Sequence, residues 1–400
     1  MQGHKQHDVL LTYGWCRSSY AVLRSLSKKG LVVAVADEFR HGMSQWSKYA
    51  ASKHIYRSPH LDPVGFVDDI SAIVERTGAR VIIPGHEELL VLARYRDHLP
   101  SSVKLPVTDA ETLEFVNDKL SITNHARLCG VSVAAEVQWT TLDELSSVTD
   151  PAKQYAARAR RGNGAKGVAY SRGGLHLGES VQRLSDRFSI PHDRRPVVQE
   201  YVEGDGWGVS CLYQSGQRIA SFTHRRLREK TLSGGTSTLR IAQHNPLIED
   251  YAHTILDSLN WHGVAMVEFK YNSETSEGWF IEINPRLWGS IDLPIAAGVD
   301  FPWLLYSCAL GTVDHSTTTN ETWKSGVSSC WLMGHFLRQI ELLKAGHLGI
   351  FLREVLAFGA TSYDDVKLDD IGAFFGELLH YASRFVSDPS TNPIGHSQVH

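Results

Sequence analysis

Apolar positions along the first hundred residues alternate between short β-branched runs and stretches of helical spacing. Val9–Thr12 reads as a strand and is followed by the turn Tyr13-Gly14-Trp15-Cys16-Arg17-Ser18-Ser19. A helical pattern then runs from Tyr20 to Lys28, with Gly30 placed to close it, and Leu31–Ala36 makes a second strand ending at Asp37. Val64–Thr77, closed by Gly78, predicts another helix ahead of the strand Arg80–Ile83. This is a βαβ opening. Asp109–Asn117 and Asp118–Leu128 read as helices, the second closed by Gly130.

Farther on, the pattern turns to hairpins. Two strand-like runs enclose a three-glycine loop between Tyr155 and Tyr170, and Val197–Val202 is a further strand. Val209–Tyr213 and Arg218–Thr223 flank a turn, Leu247–Leu259 is an amphipathic helix, and Met266–Tyr271 with Trp279–Asn284 forms a hairpin around Asn272, Ser273 and Gly278. Apolar helices are expected at Ile291–Ala297 and Phe301–Leu310, then a polar, threonine-rich link from Asp314 to Lys324. Trp331, Leu332, Phe336, Leu337, Ile340 and Leu343 recur at helical spacing, as do Ile350, Phe351, Val355 and Phe358, and core packing is the expectation for both sets. The last residues, Asp388 to His400, read as a disordered tail. No internal repeat is visible.

Four hundred residues exceed what one core usually carries, so two or three lobes are expected. A formal charge of −4 gives no global attraction to nucleic acid or to an anionic membrane. Cys16, Cys129, Cys211, Cys308 and Cys330 are dispersed, with no CxxC pair, which argues against a disulfide framework or zinc ribbon and fits a reducing compartment. The start MQGHKQHD has no apolar signal core, and no window reaches ~18 uninterrupted apolar residues. A cytoplasmic protein with no membrane and no nucleic-acid partner is expected.

The chemistry concentrates in the hairpin. Glu268 and Glu282 lie equally far from its centre at Thr275, so a symmetric register opposes them, and Asn284 shares the face of Glu282. Like charges facing each other on a sheet repel, which suggests a cation between them. Two carboxylates and an amide supply oxygen only, the donor set of Mg²⁺. Arg286 follows two residues later and could reach a transferring phosphoryl group or a carboxylate.

Other motifs are excluded or gain weight only beside this one. The first βα turn carries Gly14 alone, so a dinucleotide fingerprint is missing. His86-Glu87-Glu88-Leu89-Leu90 has a leucine where a zincin helix needs its second histidine. Cys16, the one positional candidate for a covalent nucleophile, reads as a packing residue. The loop Gly162-Asn163-Gly164-Ala165-Lys166-Gly167 could lay backbone N–H groups around a triphosphate, with Lys166 as a point charge. The run His224-Arg225-Arg226-Leu227-Arg228-Glu229-Lys230, followed by a Gly-Gly and Ser/Thr segment ending at Arg240, is the densest positive cluster and suits an anion.

The segment Glu268 … Phe280-Ile281-Glu282-Ile283-Asn284-Pro285-Arg286 resembles the metal-binding signature of the ATP-grasp superfamily. Its continuation Leu287-Trp288-Gly289-Ser290 resembles the carbamoyl-phosphate-synthase-like, predicted carboligase branch. The resemblance implies an α/β chain with a Rossmann-like pre-ATP-grasp domain over 1–110, a two-lobed ATP-grasp fold over 111–312 with its lid at about 135–200, and a helical extension over 313–400. It implies Mg²⁺, with Mn²⁺ as an alternative, on Glu268, Glu282 and Asn284. For ATP it implies Lys119, Arg158, Gly164, Lys166, Gly167, an adenine hinge at Glu200, Tyr201 and Val202, and Asp205 toward the ribose. The basic run from His224 on resembles the family's substrate loop, so Arg286 with Arg225, Arg226 and Arg240 would meet the carboxylate or acyl phosphate.

The implied activity is a ligase that phosphorylates a small carboxylate and joins it to an amine, releasing ADP and phosphate, with a homodimer admissible. Where the family carries Lys-Pro on the strand entering the glycine loop, this chain carries Arg158-Ala159. That departure leaves open a nucleotide-binding protein with degenerate catalysis. A carboxylase acting on bicarbonate also stays open.

Overall fold

The computed structural model describes residues 6–162, 167–231, 234–313, 322–357 and 359–387. The opening sheet is wholly parallel, in the order Ser52–Ile55, Val33–Asp37, Val9–Leu11, Val81–Ile83. Its central strands are buried throughout and apolar up to the closing Asp37, because helices cover both faces. The helix Arg17–Lys28 returns the chain between the first two strands, and Pro63–Thr77 leads into the fourth. The second helix has the end signals visible in sequence: Asp62 accepts from the Gly65 N–H, Pro63 opens the first turn, and Gly78 closes it at φ 66°.

A seven-stranded sheet carries most of the remaining chain. Its order is Glu277–Asn284, Gly263–Asn272, Asp205–Gln214, Gln217–Thr231, Gly234–Ala242, Ser328–Cys330, Ser362–Tyr363, antiparallel except for the last pair. One face buries Val209, Cys211, Val267 and Phe280 against the helix Pro246–Ser258. The other buries Leu212, Phe222, Ala242 and Met266 against residues of the opening α/β unit and against Trp288 and Ile291. Alternation along each strand produces the two faces.

Here one expectation is corrected. The basic run from His224 to Lys230 is no loop: the strand continues through it to Thr231 and pairs with Gly234–Ala242. Its charges are tolerated in the ladder because cross-sheet acids answer them, as the site below makes plain.

A third, four-stranded sheet, in the order Glu136–Val137, Val197–Glu200, Gln154–Arg158, Val168–Arg172, is antiparallel throughout. It has its own small core with the helices Leu142–Val148 and Leu175–Arg187. At the C-terminal end, the helices Leu332–Lys344, Leu348–Leu356 and Gly372–Ser387 accompany the two short strands added to the large sheet. The expected core role of this region holds for Trp331 and fails for Phe336, Leu343 and Val355, which are exposed. The polar link is described only in part, and the tail from Asp388 lies outside the described residues.

Candidate active site

The hairpin Gly263–Asn272/Glu277–Asn284 opposes Glu268 to Glu282. From the turn outward, Asn272 faces Glu277 and Phe269 faces Phe280; the register then shifts by one residue. Ile281 is the extra residue of a bulge, and without it Glu268 would face an isoleucine. The Ile281 carbonyl accepts from Arg158 Nη1 at 2.9 Å, and the same guanidinium reaches Glu282 Oε2 with Nη2 at 3.1 Å. Arg158 therefore clamps the bulge and its carboxylate together.

Each acid meets its own cation. Arg226 Nη2 lies 2.6 Å from Glu268 Oε1, and Lys119 Nζ lies 3.6 Å from Glu282 while donating to the Gly162 carbonyl at 2.5 Å. Asn284 donates to Glu268 at 3.0 Å and accepts from Arg286 Nη2 at 3.1 Å. Burial pushes the Glu268 carboxyl above its usual range; Arg226 opposes this and the Glu282 charge reinforces it. Burial acts upward on Glu282 too, but Lys119, Arg158, Arg226 and Arg286 outweigh it and hold that carboxyl below its usual range. Burial also lowers the Lys119 ammonium. The two carboxyls are thus shifted in opposite directions by their surroundings, and a cation between them would favour the charged form of both.

These residues border a cavity of about 870 Å³. Its wall joins Glu200, Tyr201 and Val202 from the four-stranded sheet, Arg158, Arg226, Glu268, Glu282, Asn284 and Arg286. Beyond them it reaches the opening α/β unit at Tyr13–Ser18 and the C-terminal helix at His380 and Tyr381. Glu200 itself is bound by Lys153 at 2.6 Å across the strand pair. Gly208 sits between Glu268 and His224 in the ladder, and a Cβ there would come within 2.5 Å of the His224 ring. The missing side chain lets that buried imidazole lie across the strand. Its Nδ1 has no hydrogen-bond partner among the described residues, and burial, then Arg226 and Arg240, lower its pKa well below the usual value.

Several expected site residues lie elsewhere. Arg225 points to the opposite face from His224 and Arg226, as alternation requires, and pairs with Asp205 at 2.7 Å. Neither of that pair is on the cavity wall. Arg240 shares the face of Arg226 but is fully buried on Asp364 and Ser329, so the expectation that it meets substrate is not met. Lys119 stands behind Glu282, off the wall. Gly167 accepts from the Ala159 N–H and closes the hairpin; Gly164 and Lys166 lie outside the described residues. Cys16, expected as packing, is on the wall and bonded to Ser18 at 3.0 Å.

Arg17, His224, Trp331 and His380 were not singled out as site residues from sequence. Arg17 stood in a recognised βα turn, His224 opened the basic run and Trp331 was read as core, while His380 carried no local signal; only the tertiary fold brings them to the cavity.

The donor set fits Mg²⁺: two opposed carboxylates and an amide oxygen, all hard donors. Among the described residues no cluster of three or more His, Cys, Asp or Glu forms a metal site, so the fit rests on this mixed set. No described helix is long and apolar enough to cross a membrane.

Comparison with known proteins gives the same direction. Residues 192–332 match a family described as ATP-grasp in the biosynthetic pathway with Ter operon. Acetyl-CoA carboxylase 1 of Arabidopsis thaliana is 23% identical over 235 residues, which is 53% of this chain and 10% of that protein. The L-amino acid ligase of Bacillus licheniformis superposes with a TM-score of 0.61 at 15% identity, over 81% of this chain and 79% of that one. The biotin carboxylase domain dimer of Hydrogenobacter thermophilus 2-oxoglutarate carboxylase, solved with MgADP, ADP and bicarbonate, gives 0.65 at 14% identity, over 81% and 74%.

Proposed function

We propose, from the premise that the chain belongs to the ATP-grasp superfamily, that it activates a small carboxylate with ATP and joins the resulting acyl phosphate to an amine, releasing ADP and phosphate. The observation that carries this reading is the opposed pair Glu268 and Glu282 with Asn284 and Arg286 beside them on one cavity wall. A carboxylate resists attack because its leaving oxygen is too basic, and phosphorylation removes that obstacle. Phosphoryl transfer asks a protein mainly for positioning and neutralisation of charge.

Glu268, Glu282 and Asn284 would hold Mg²⁺, which when bound supplies charge neutralisation at the nucleotide phosphates. The side chains do the rest. Arg158 and Arg226 now neutralise the acids themselves; with a nucleotide present, both stand where they can turn toward phosphate oxygens. Arg286, whose Nε has no hydrogen-bond partner among the described residues, is the cation for the transferring group. Glu200–Val202 edges the nucleotide end, as an adenine hinge would. The four-stranded sheet would close over the site and keep water from the acyl phosphate.

Of the activities named for the similar structures, the amino-acid ligase is favoured over the bicarbonate-using carboxylase. The cavity continues past Arg286 into a ring-lined region of mixed polarity that bicarbonate would leave unused. The test is ADP release from the purified chain with Mg-ATP and pooled carboxylic acids. ADP that forms only when acids are present supports the proposal, and ADP release indifferent to acids opposes it.

A further inference from the structure

The cavity has two ends of different chemistry. At about 870 Å³ it lies toward the top of the roughly 300–1,000 Å³ typical of small-molecule pockets, so there is room for a second ligand beside a nucleotide. The end away from the four-stranded sheet joins the first βα turn, the turn after Val81–Ile83 and the C-terminal helix, the first and last more than three hundred residues apart. Their rings are locked together: Tyr13 stacks on His86 at 4.6 Å, Trp15 stacks on His380 at 4.3 Å, and Tyr13 meets Trp15 edge-on at 5.5 Å. Such a wall presents flat faces in fixed positions, which suits a planar unsaturated group better than a flexible aliphatic one.

Beside this wall stands Arg17. Its guanidinium lies 4.0 Å over the Trp331 ring, donates from Nε to the Gly289 carbonyl at 2.9 Å, and sits 3.5 Å from Asp364. Asp364 is already committed to Arg240 and Ser329. The two terminal nitrogens of Arg17 make no hydrogen bond among the described residues, although its charge also acts on Glu377, and the residue lines the cavity. A seated guanidinium with its outer edge open is the geometry that takes a carboxylate through two parallel hydrogen bonds. Gly289 makes the seat, since a Cβ there would come within 2.5 Å of Arg17 Nη2. It follows Arg286 by three residues, so one short loop ties this anion site to the phosphoryl end.

We infer that this end of the cavity binds the acid to be activated, and that the acid carries a flat unsaturated ring: carboxylate on Arg17, ring against Tyr13, Trp15 and His380. The inference rests on the reading of the cavity as a site of carboxylate activation and names the substrate class for it.

Calorimetry on the intact chain, with and without Mg-ADP, tests it with four probes: 3-phenylpropionate, indole-3-propionate, 3-cyclohexylpropionate and 3-phenylpropan-1-ol. At least one aromatic acid binds about tenfold or more tightly than both the saturated acid and the alcohol. Arg17→Lys, which keeps the charge and loses the fork, and Gly289→Ala, which fills the seat, each weaken that acid about tenfold and leave Mg-ADP affinity unchanged. Trp15→Leu abolishes the preference for the aromatic over the saturated ring. Equal binding of aromatic and saturated acids, binding of the alcohol as tight as the acid, or no binding of either aromatic acid overturns the inference. Failure of Mg-ADP to bind would instead count against the nucleotide reading, and the titrations without nucleotide still decide the ring-acid site.

Discussion

Ile281 shows how much a single residue decides. Glu268 and Glu282 could be read from sequence as equidistant from the turn, and they do face each other; the register at the turn itself is offset by one, and the Ile281 bulge restores the match. The acids and Asn284 were legible because alternation is a local rule. Their cations were only partly so. Arg158 was visible as a departure from the family pattern, yet its grip on Glu282 and on the Ile281 carbonyl depends on the four-stranded sheet packing over the hairpin. Arg226 could not be told from Arg225 while the basic run was read as a loop; read as a strand, only one of two neighbours can face the site. Replacing Arg226 by alanine leaves Glu268 buried beside another carboxylate, and a loss of about 3–5 kcal/mol in urea denaturation is expected. Millimolar Mg²⁺ should recover part of it, detected as a raised melting temperature. A variant as stable as the parent, or one indifferent to Mg²⁺, would mean that Arg226 does not offset the acid pair.

Among the elements, the hairpins, the parallel opening and the helix ends followed from periodicity and capping residues. The C-terminal helix did not. It was expected only as part of a helical extension over 313–400, and nothing local told that Gly372–Ser387 would bring His380 to Trp15 and Glu377 to Trp331. Glu377 is the costly part of that docking. Burial first, then the charge of Asp365, raise its carboxyl from 4.5 to about 8; Arg17 and the Trp331 indole N–H pull the other way, and Asp364 adds to the rise. A folded pKa above the unfolded one favours the acid form, so this contribution to stability is full below about 4.5 and is lost as pH rises through about 8. Asp37, raised by burial to about 7, acts with the same sign. Histidines that burial holds below their ordinary value of 6.5, His54 and His253 at about 4, act with the opposite sign at lower pH. Melting temperature is therefore expected to fall between pH about 6.5 and 8, and Glu377→Gln, which cannot ionise, should shrink that slope while Asp37 keeps some of it. An unchanged slope would show that Glu377 is charged in the folded protein at neutral pH.

Over the whole molecule, three sheets converge on one cavity, and each supplies a different part of the proposed chemistry. The four-stranded sheet brings Arg158 and the Glu200–Val202 edge, the large sheet brings the acids with Asn284 and Arg226, and the parallel opening brings Arg17 and the rings. The order of parts along the chain was readable because each carries a motif. The substrate end was not, because it is assembled from residues at opposite ends of the sequence whose only common property is where the fold puts them. The central claim, carboxylate activation at the Glu268/Glu282 pair, is tested most directly by trapping. Purified chain is incubated with Mg-ATP, pooled carboxylic acids including aromatic ones, and hydroxylamine, which intercepts an acyl phosphate whatever the natural amine; ADP and hydroxamate are read by mass spectrometry beside Glu282→Gln. The account predicts ADP with a hydroxamate of an aromatic acid, and a loss of both by roughly a hundredfold or more in the variant. ATP binding with neither product, or products that persist undiminished in Glu282→Gln, would contradict it.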